Sequence, residues 1–446
     1  MTAIYHYFTD PILRAPTIGS MLMCLTAALV GVLVFLRKRS LLGETLSHAT
    51  YPGVTLAVVI VATMLSEEWL APFILVGAFI SSLLGLFAVD ALKKYFNVRD
   101  DSALCFVLAS FFGIGLTIAS RVQFSHPQEY RQIQSYLYGQ AATMTDFHIL
   151  LYGVLSILVI AIGALFYKEF KITTFDANYA KSLGIGVRLF DSLLFLLIVI
   201  SVVVGIKSVG VVLMSAMLIA PAAAARQFSN RMSRILLIAG IIGMVSGFLG
   251  NYLSNEFSIY LAESNRGIQG GIRGSLPTGP SIVVVSGTIC FLSLLFAPER
   301  GLIPRYIRIA FFRLRRLEEN LLKTVWRINL DGEVELSEIL SSHSRSKTSL
   351  QLCLWKLKWD GLVSKRGKKV ALTSKGRKKA SHIVRLHRLW EVYLVNSLGL
   401  GVERVHRNAE EMEHIITPDL EKKLTELLED PLEDPHKQPI PRNGGA

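Results

Sequence analysis

Residues 191–226, DSLLFLLIVISVVVGIKSVGVVLMSAMLIAPAAAAR, hold only three charged side chains, Asp191, Lys207 and Arg226. These stand at the two ends and near the middle, so the stretch reads as two apolar spans, 191–206 and 208–226, close to the length a bilayer-crossing helix needs. Seven more such windows lie at 16–36, 45–65, 70–92, 102–120, 148–167, 234–252 and 280–297, and none recurs after Ala297. With 51% hydrophobic residues in 446, the chain is too apolar for a soluble globular enzyme and divides into a lipid-facing part and an aqueous part. The first window is long and is followed, not preceded, by Arg37, Lys38 and Arg39, so it is a retained helix rather than a cleaved signal. Cys24, Cys105, Cys290 and Cys353 form no CxxC pair and read as small apolar residues. Segment 133–147 is too short and polar to span and is expected as a re-entrant or outer-face element.

Loop charge gives the orientation, because Lys and Arg resist crossing to the outer face. With the amino terminus outside, the inner connections hold thirteen basic residues, among them Lys93, Lys94, Lys168, Lys171 and Arg231, against five outside: Arg121, Arg131, Lys207, Arg266 and Arg273. Nine spans then leave everything after Ala297 in the cytoplasm, with the protein multi-pass in the cytoplasmic (inner) membrane.

In the second span, GETLSHATYPG (43–53) sets Glu44 and His48 four apart, on one helix face. Ionisable groups at membrane depth face a cavity or a partner, and a carboxylate with an imidazole suits a transition-metal ion. The alternative is an interfacial Glu44 and a His48 bonded to a neighbouring carbonyl. Pro52 and Gly53 either free carbonyls toward that path or form a packing kink. The inner loop KEFKITTFDANYAKSLGIGVRLFD (168–191) contains a short helix capped by Asp176, expected either to dock a cytoplasmic partner or to lie on lipid headgroups.

GETLSHATYPG, FDANYAKSLGIG, VGVVLMSAMLIAPAAAAR and LPTGPSIVVVSG, in this order, resemble the membrane subunits of ABC importers for manganese, zinc and iron over roughly residues 15–300. The resemblance implies that Glu44 and His48 line the metal path, where many members have Asp in place of Glu44. It also implies that Phe175, Asp176, Ala180, Leu183, Gly184 and Ile185 dock on an ABC ATPase subunit. An extracytoplasmic metal-binding protein and a second permease copy or paralogous permease are implied as further partners. No GxxxxGK[ST] phosphate loop occurs in the chain, so ATP hydrolysis falls to a separate subunit and the chain itself is not an enzyme.

After Leu317 the apolar periodicity becomes that of amphipathic helices. LEENLLKTVWRI (317–328), VELSEILSSH (334–343) and SKTSLQLCLWKLKWDG (346–361) read as three helices. A hairpin turning at Arg366, Gly367 and Lys368 follows, then a helix from Ser374. That order is a winged helix-turn-helix. Thirteen Lys/Arg between Arg345 and Arg385 against one acid, Asp360, suit phosphate contacts with DNA or anionic lipid alike, and the helix-turn-helix order favours DNA. Ser346, Lys347, Thr348 and Gln351 fall on the first turns of the third helix, for base edges, and Lys365, Arg366, Lys368 and Lys369 on the wing, for backbone.

Beyond the hairpin, His387 and Glu391 are four apart, as are His406 and Glu410, while Glu410 and Glu413 are three apart with His414 adjacent. Imidazole and carboxylate on defined helix faces suit a mixed N/O metal site or a set of ordinary ion pairs. HRLWEVYL, VHRNAEEMEHIITP and DPHKQPIP, with LLKTVWRI and LTSKGRKKA before them, resemble metal-dependent repressors of the diphtheria-toxin-repressor and manganese-regulator type over residues 317–442. The resemblance places one divalent ion on His387, Glu391 and His406 and another on Glu410, Glu413 and His414. Where such repressors often have Asp or Met and then Glu one turn on, this chain has Asn320 and Lys323, which implies that one of the two sites is weakened or altered.

The expected fold is therefore an all-α polytopic membrane domain of about nine transmembrane helices (1–297) and a basic amphipathic linker (298–316). A cytoplasmic winged helix-turn-helix domain (317–380) and a helical metal-binding dimerisation domain (381–442) follow, without a third, SH3-like domain. The expected function is a divalent-metal (Mn2+ or Fe2+, and Zn2+ by the same ligand chemistry) importer subunit fused to a metal-dependent repressor. The alternative is a membrane-anchored metal sensor that transports nothing. Operator DNA and membrane lipid complete the expected partners, and cleavage in the linker would release a soluble carboxy-terminal fragment.

Overall fold

The computed structural model describes residues 2–64, 69–264, 276–328, 332–342 and 347–442 and divides into two compact units, Met1–Pro304 and Arg305–Ala446. Among the described residues, nine helices are long and apolar enough to cross a membrane, all in the first unit.

A short helix α1 (Thr2–Thr9) precedes α2 (Pro11–Leu36), whose start is set by Asp10 accepting from the Ile12 amide at 2.8 Å with proline at the first helical position. Then come α3 (Ser40–Met64), α4 (Leu70–Phe96), α5 (Asp100–Ser125), α6 (Pro127–Tyr138), α7 (Asp146–Leu165), α8 (Tyr167–Phe175) and α9 (Ala177–Ser182). The unit continues through α10 (Val187–Val209), α11 (Val211–Phe228), α12 (Met232–Ser264) and α13 (Thr278–Phe296). Helix α2 packs against α7, α11 and α12, while α3 packs against α4 and α5. The α3 and α4 backbones cross at Gly53 and Gly77, where a Cβ on Gly77 would lie 2.6 Å from the Gly53 carbonyl. Pro52 thus sits inside a continuous α3 beside a tight crossing, and Thr55 Oγ1 donates to the Tyr51 and Pro52 carbonyls at 3.2 and 2.9 Å.

Two boundaries differ from expectation. The break between the sixth and seventh spans falls at Gly210, not Lys207. Gly210 adopts φ +93, open to glycine, and Lys207 remains in the last turn of α10, where the carbonyl dipoles favour a cation. Segment 133–147 becomes the end of α6 and a 3-10 turn at Ala141–Thr143, stitched to this elbow by the Gln140 amide on the Lys207 carbonyl (3.0 Å) and to the start of α13 by the Ala141 amide on Thr278 Oγ1 (2.8 Å). Arg266 and Arg273 lie outside the described residues.

In the second unit the expected linker is helical, because α14 runs unbroken from Leu302 to Ile328 and includes the first expected helix. Of the second, Val334–Glu335 form a strand β1 before α15 (Leu336–Ser341), since Val334 is buried opposite Val370. Helix α16 (Lys347–Trp359) ends at Gly361 with φ +68. Strands β2 (Val363–Arg366) and β3 (Lys369–Leu372) form the hairpin, in a sheet ordered β1-β3-β2, with all pairs antiparallel. Leu321, Leu322, Val325, Ile339, Leu350, Leu354, Leu357, Val370 and Ile383 make one core. Helix α17 (Ser374–Asn396), capped by Thr373, passes through the expected 380/381 boundary and out of that core to meet α18 (Val402–Met412) and α19 (Pro418–Leu427).

Candidate functional site

Helix α17 carries His387 and Glu391 one turn apart, and α18 brings His406 against them. His387 Nε2 lies 3.1 Å from Glu391 Oε1 and 3.1 Å from His406 Nδ1, and His406 Nδ1 lies 2.9 Å from Glu391 Oε1. These three form a group with metal-ligand spacing among the described residues. They open on a cavity of about 660 Å3 that Glu403, Asp434 and His436 also line. Burial works against charge on His387, yet Glu391 and Glu413 outweigh it and hold the imidazolium above the ordinary histidine value. Burial likewise pushes Glu391 up, but hydrogen bonds from His387 and His406 bring it down to about 2. The site is thus a carboxylate between two imidazoles, a donor set that fits one divalent ion.

The other expected set is arranged differently. Glu413 is fully buried, and its Oε2 accepts from His387 Nδ1, which leaves Nε2 of that ring facing the triad. Lys323, from α14, places its ammonium 2.7 Å from Glu413 Oε1 and 3.0 Å from Oε2. Glu410 is half exposed, with Oε1 3.9 Å from the same ammonium. His414 Nδ1 bonds Glu319 Oε2 at 2.6 Å, and Arg315 Nε donates to the other oxygen of Glu319 at 2.9 Å. Burial raises Glu319, but His414 and Arg315 overcome it and keep its carboxyl below the usual range.

In the membrane unit, His48 is buried in α3 with its ring edge on Phe112, 4.6 Å between centroids, and its Nδ1 has no hydrogen-bond partner. Pro52 lacks an N–H, so it leaves the His48 carbonyl without the usual helical donor. Glu44 is half-buried one turn earlier. On the loop between α8 and α10, Asp176 Oδ1 accepts from the Asn178 and Tyr179 amides at 3.1 and 2.9 Å, which starts α9. Ala180 is buried, and Gly184, at φ +76, lets the Ile185 amide return to the Ala180 carbonyl at 3.0 Å. Phe175, Tyr179 and Leu183 are left exposed around this helix.

On α16, Thr348 and Gln351 are exposed. Ser346 lies outside the described residues, and Lys347 is the first residue of the helix. Lys365, Arg366, Lys368 and Lys369 are exposed on the hairpin, with Lys369 Nζ 3.4 Å from Glu333.

Sequence reading missed three pairings. Arg37, counted only as loop charge, pairs with Asp191 and donates to Thr173 Oγ1 (2.8 Å) and Thr174 Oγ1 (3.3 Å), tying the end of α2 to the segment that carries α9. Lys356 pairs with Glu318, joining α16 to α14. Lys323 was marked only as a departure, and its partner stands 90 positions away. No local pattern announces such distant pairs.

Comparison with known proteins gives two family matches. Residues 9–297 match the ABC 3 transport family, and residues 373–442 match the iron dependent repressor, metal binding and dimerisation domain. A probable metal transport system membrane protein of Chlamydia pneumoniae is 38% identical over 97% of this chain and 98% of its own length. The manganese transport system membrane protein MntC of Bacillus subtilis is 34% identical over 86% of this chain and 84% of its own. The zinc transport system membrane protein TroC of Treponema pallidum is 33% identical over 68% of this chain and 95% of its own. Among solved structures, PsaBC from Streptococcus pneumoniae in complex with Fab shares the fold, with TM-score 0.57 and 24% identity over 70% of this chain and 100% of that one.

Proposed function

The chain belongs to the ABC 3 transport family and carries a carboxy-terminal iron-dependent-repressor metal-binding and dimerisation domain, and from that premise we propose that it is the membrane subunit of an ATP-driven divalent-metal importer fused to a metal-responsive repressor of metal-uptake genes. The observation that carries the reading is the triad of His387, Glu391 and His406, in a chain whose other unit consists mainly of membrane-length helices. Relatives named for manganese and zinc transport support Mn2+ or Zn2+ as cargo, and Fe2+ suits the same N/O donors.

Two imidazoles and one carboxylate suit Mn2+, Fe2+ or Zn2+ in the sensor. A bound ion would join α17 to α18 once His387 gives up its extra proton, with the ionised Glu391 supplying negative charge.

Glu44 and His48 line the transport path in this reading, and the α9 segment docks on a separate ATPase subunit. An extracytoplasmic metal-binding protein delivers the ion, and a second permease copy or paralogue completes the channel. The elements from α14 to β3 act as a cytoplasmic winged helix-turn-helix, with α16 entering the major groove and the hairpin on the backbone. The amphipathic start of α14, with Tyr306 and Phe311 exposed among arginines, rests on anionic lipid headgroups. A protease acting in the non-helical stretch before Leu302 would free the repressor from the membrane.

Radiolabelled Mn2+ uptake and operator occupancy, measured in the same cells with and without the H406A substitution, test the reading. Uptake should persist and metal-dependent repression should be lost. Repression that persists in H406A contradicts it.

A further inference from the structure

Both oxygens of Glu413 are already engaged where a second divalent ion would need them. One oxygen accepts from His387 Nδ1, and both accept from the Lys323 ammonium at 2.7 and 3.0 Å, with the side chains of Lys323 and Glu413 8% and 0% exposed. The other nearby carboxylate, Glu410, lies 3.9 Å from the same ammonium. A divalent ion on these carboxylates would have to share their oxygens with a buried positive charge, which repels it strongly where water cannot screen.

We infer that Lys323 is a built-in cation standing where a second metal ion would bind, so that the repressor half takes up one divalent ion per chain, at His387, Glu391 and His406. This rests on the proposed metal-sensing role. Glu413 is then a positioning residue: it holds the proton of His387 on Nδ1 and turns Nε2 toward the ion, and Lys323 keeps Glu413 ionised and in place before any metal arrives. Two polar atoms remain with no hydrogen bond, His414 Nε2, 3.6 Å from Glu413 Oε1, and Asn320 Oδ1, on the α14 face that carries Lys323. They are the donors that a second ion would recruit once the ammonium is replaced by a carboxylate.

The test is the Mn2+ content of the purified full chain in detergent, dialysed against excess Mn2+ and counted by mass spectrometry. Any ion bound in the membrane unit is common to all variants, so differences from the parent chain report on the repressor half. H406A should lose one ion per chain, E410A none, and K323E should gain one. Hydrogen exchange of α17 and α18 checks that each variant is folded. Loss of an ion in E410A, or no gain in a folded K323E, overturns the inference. No loss in H406A would instead sink the metal-sensing role on which it rests.

Discussion

Lys323 Nζ and Glu413 Oε1 lie 2.7 Å apart inside the second unit, joining α14 to the end of α18 across 90 residues of chain. Removing one partner of a buried ion pair leaves the other charge stranded. K323M should therefore lower the metal-free stability of this unit by about 3 kcal/mol, read as faster hydrogen exchange in α17 and α18. Unchanged exchange would show the pair to be energetically idle.

Metal binding at the triad should depend on pH. His387 is held above its ordinary value by Glu391 and Glu413 against the effect of burial, so its imidazolium survives to higher pH than a free histidine's. An incoming ion must displace that proton, and Mn2+ affinity should fall by about tenfold per unit as pH drops below the raised value. Titrations at pH 8, 7 and 6 on the H48A background, which leaves the triad intact, measure this; a flat profile contradicts the ligand assignment.

In the membrane unit, H48A should reduce Mn2+ uptake about tenfold or more in vesicles containing the ATPase, at equal expression. Its imidazole is buried with Nδ1 unpaired, a cost in lipid that a transport role explains. E44A should act in the same direction. Uptake at the parental rate in both variants would remove these residues from the path.

The segment around α9 should couple ATP hydrolysis to transport. D176K removes the cap that accepts from the Asn178 and Tyr179 amides, worth about 1 kcal/mol, and G184V forces a side chain onto φ +76. Both should cut uptake severalfold while leaving the permease folded and ATPase activity no longer stimulated by it. Retained stimulation in both would place the docking surface elsewhere.

The membrane spans were legible because a bilayer demands long apolar windows, and each expected window overlaps one of the helices described. The break at Gly210 was misplaced because charge at Lys207 is conspicuous, while φ +93 at a glycine leaves no mark in hydropathy. Strand β1 was read as helix because Val334 and Glu335 owe their form to their β3 partners Val370 and Lys369, far along the chain. Within the candidate site, the i,i+4 spacing of His387 and Glu391 was visible, but the approach of His406 depends on how α18 returns to α17. Pairings such as Arg37 with Asp191 and Lys323 with Glu413 arise only when distant helices pack, so single residues gave no sign of them.

If one chain both carries divalent metal and reports its level to DNA, metal must control which DNA the full chain holds. The direct measurement is retention of fragmented genomic DNA by the full chain in lipid nanodiscs, with Mn2+ and with chelator, for the parent chain and H406A. The parent chain should retain a small set of fragments only with Mn2+, and H406A should retain none of them. Retention that ignores the chelator, or no selective retention under any condition, would contradict it.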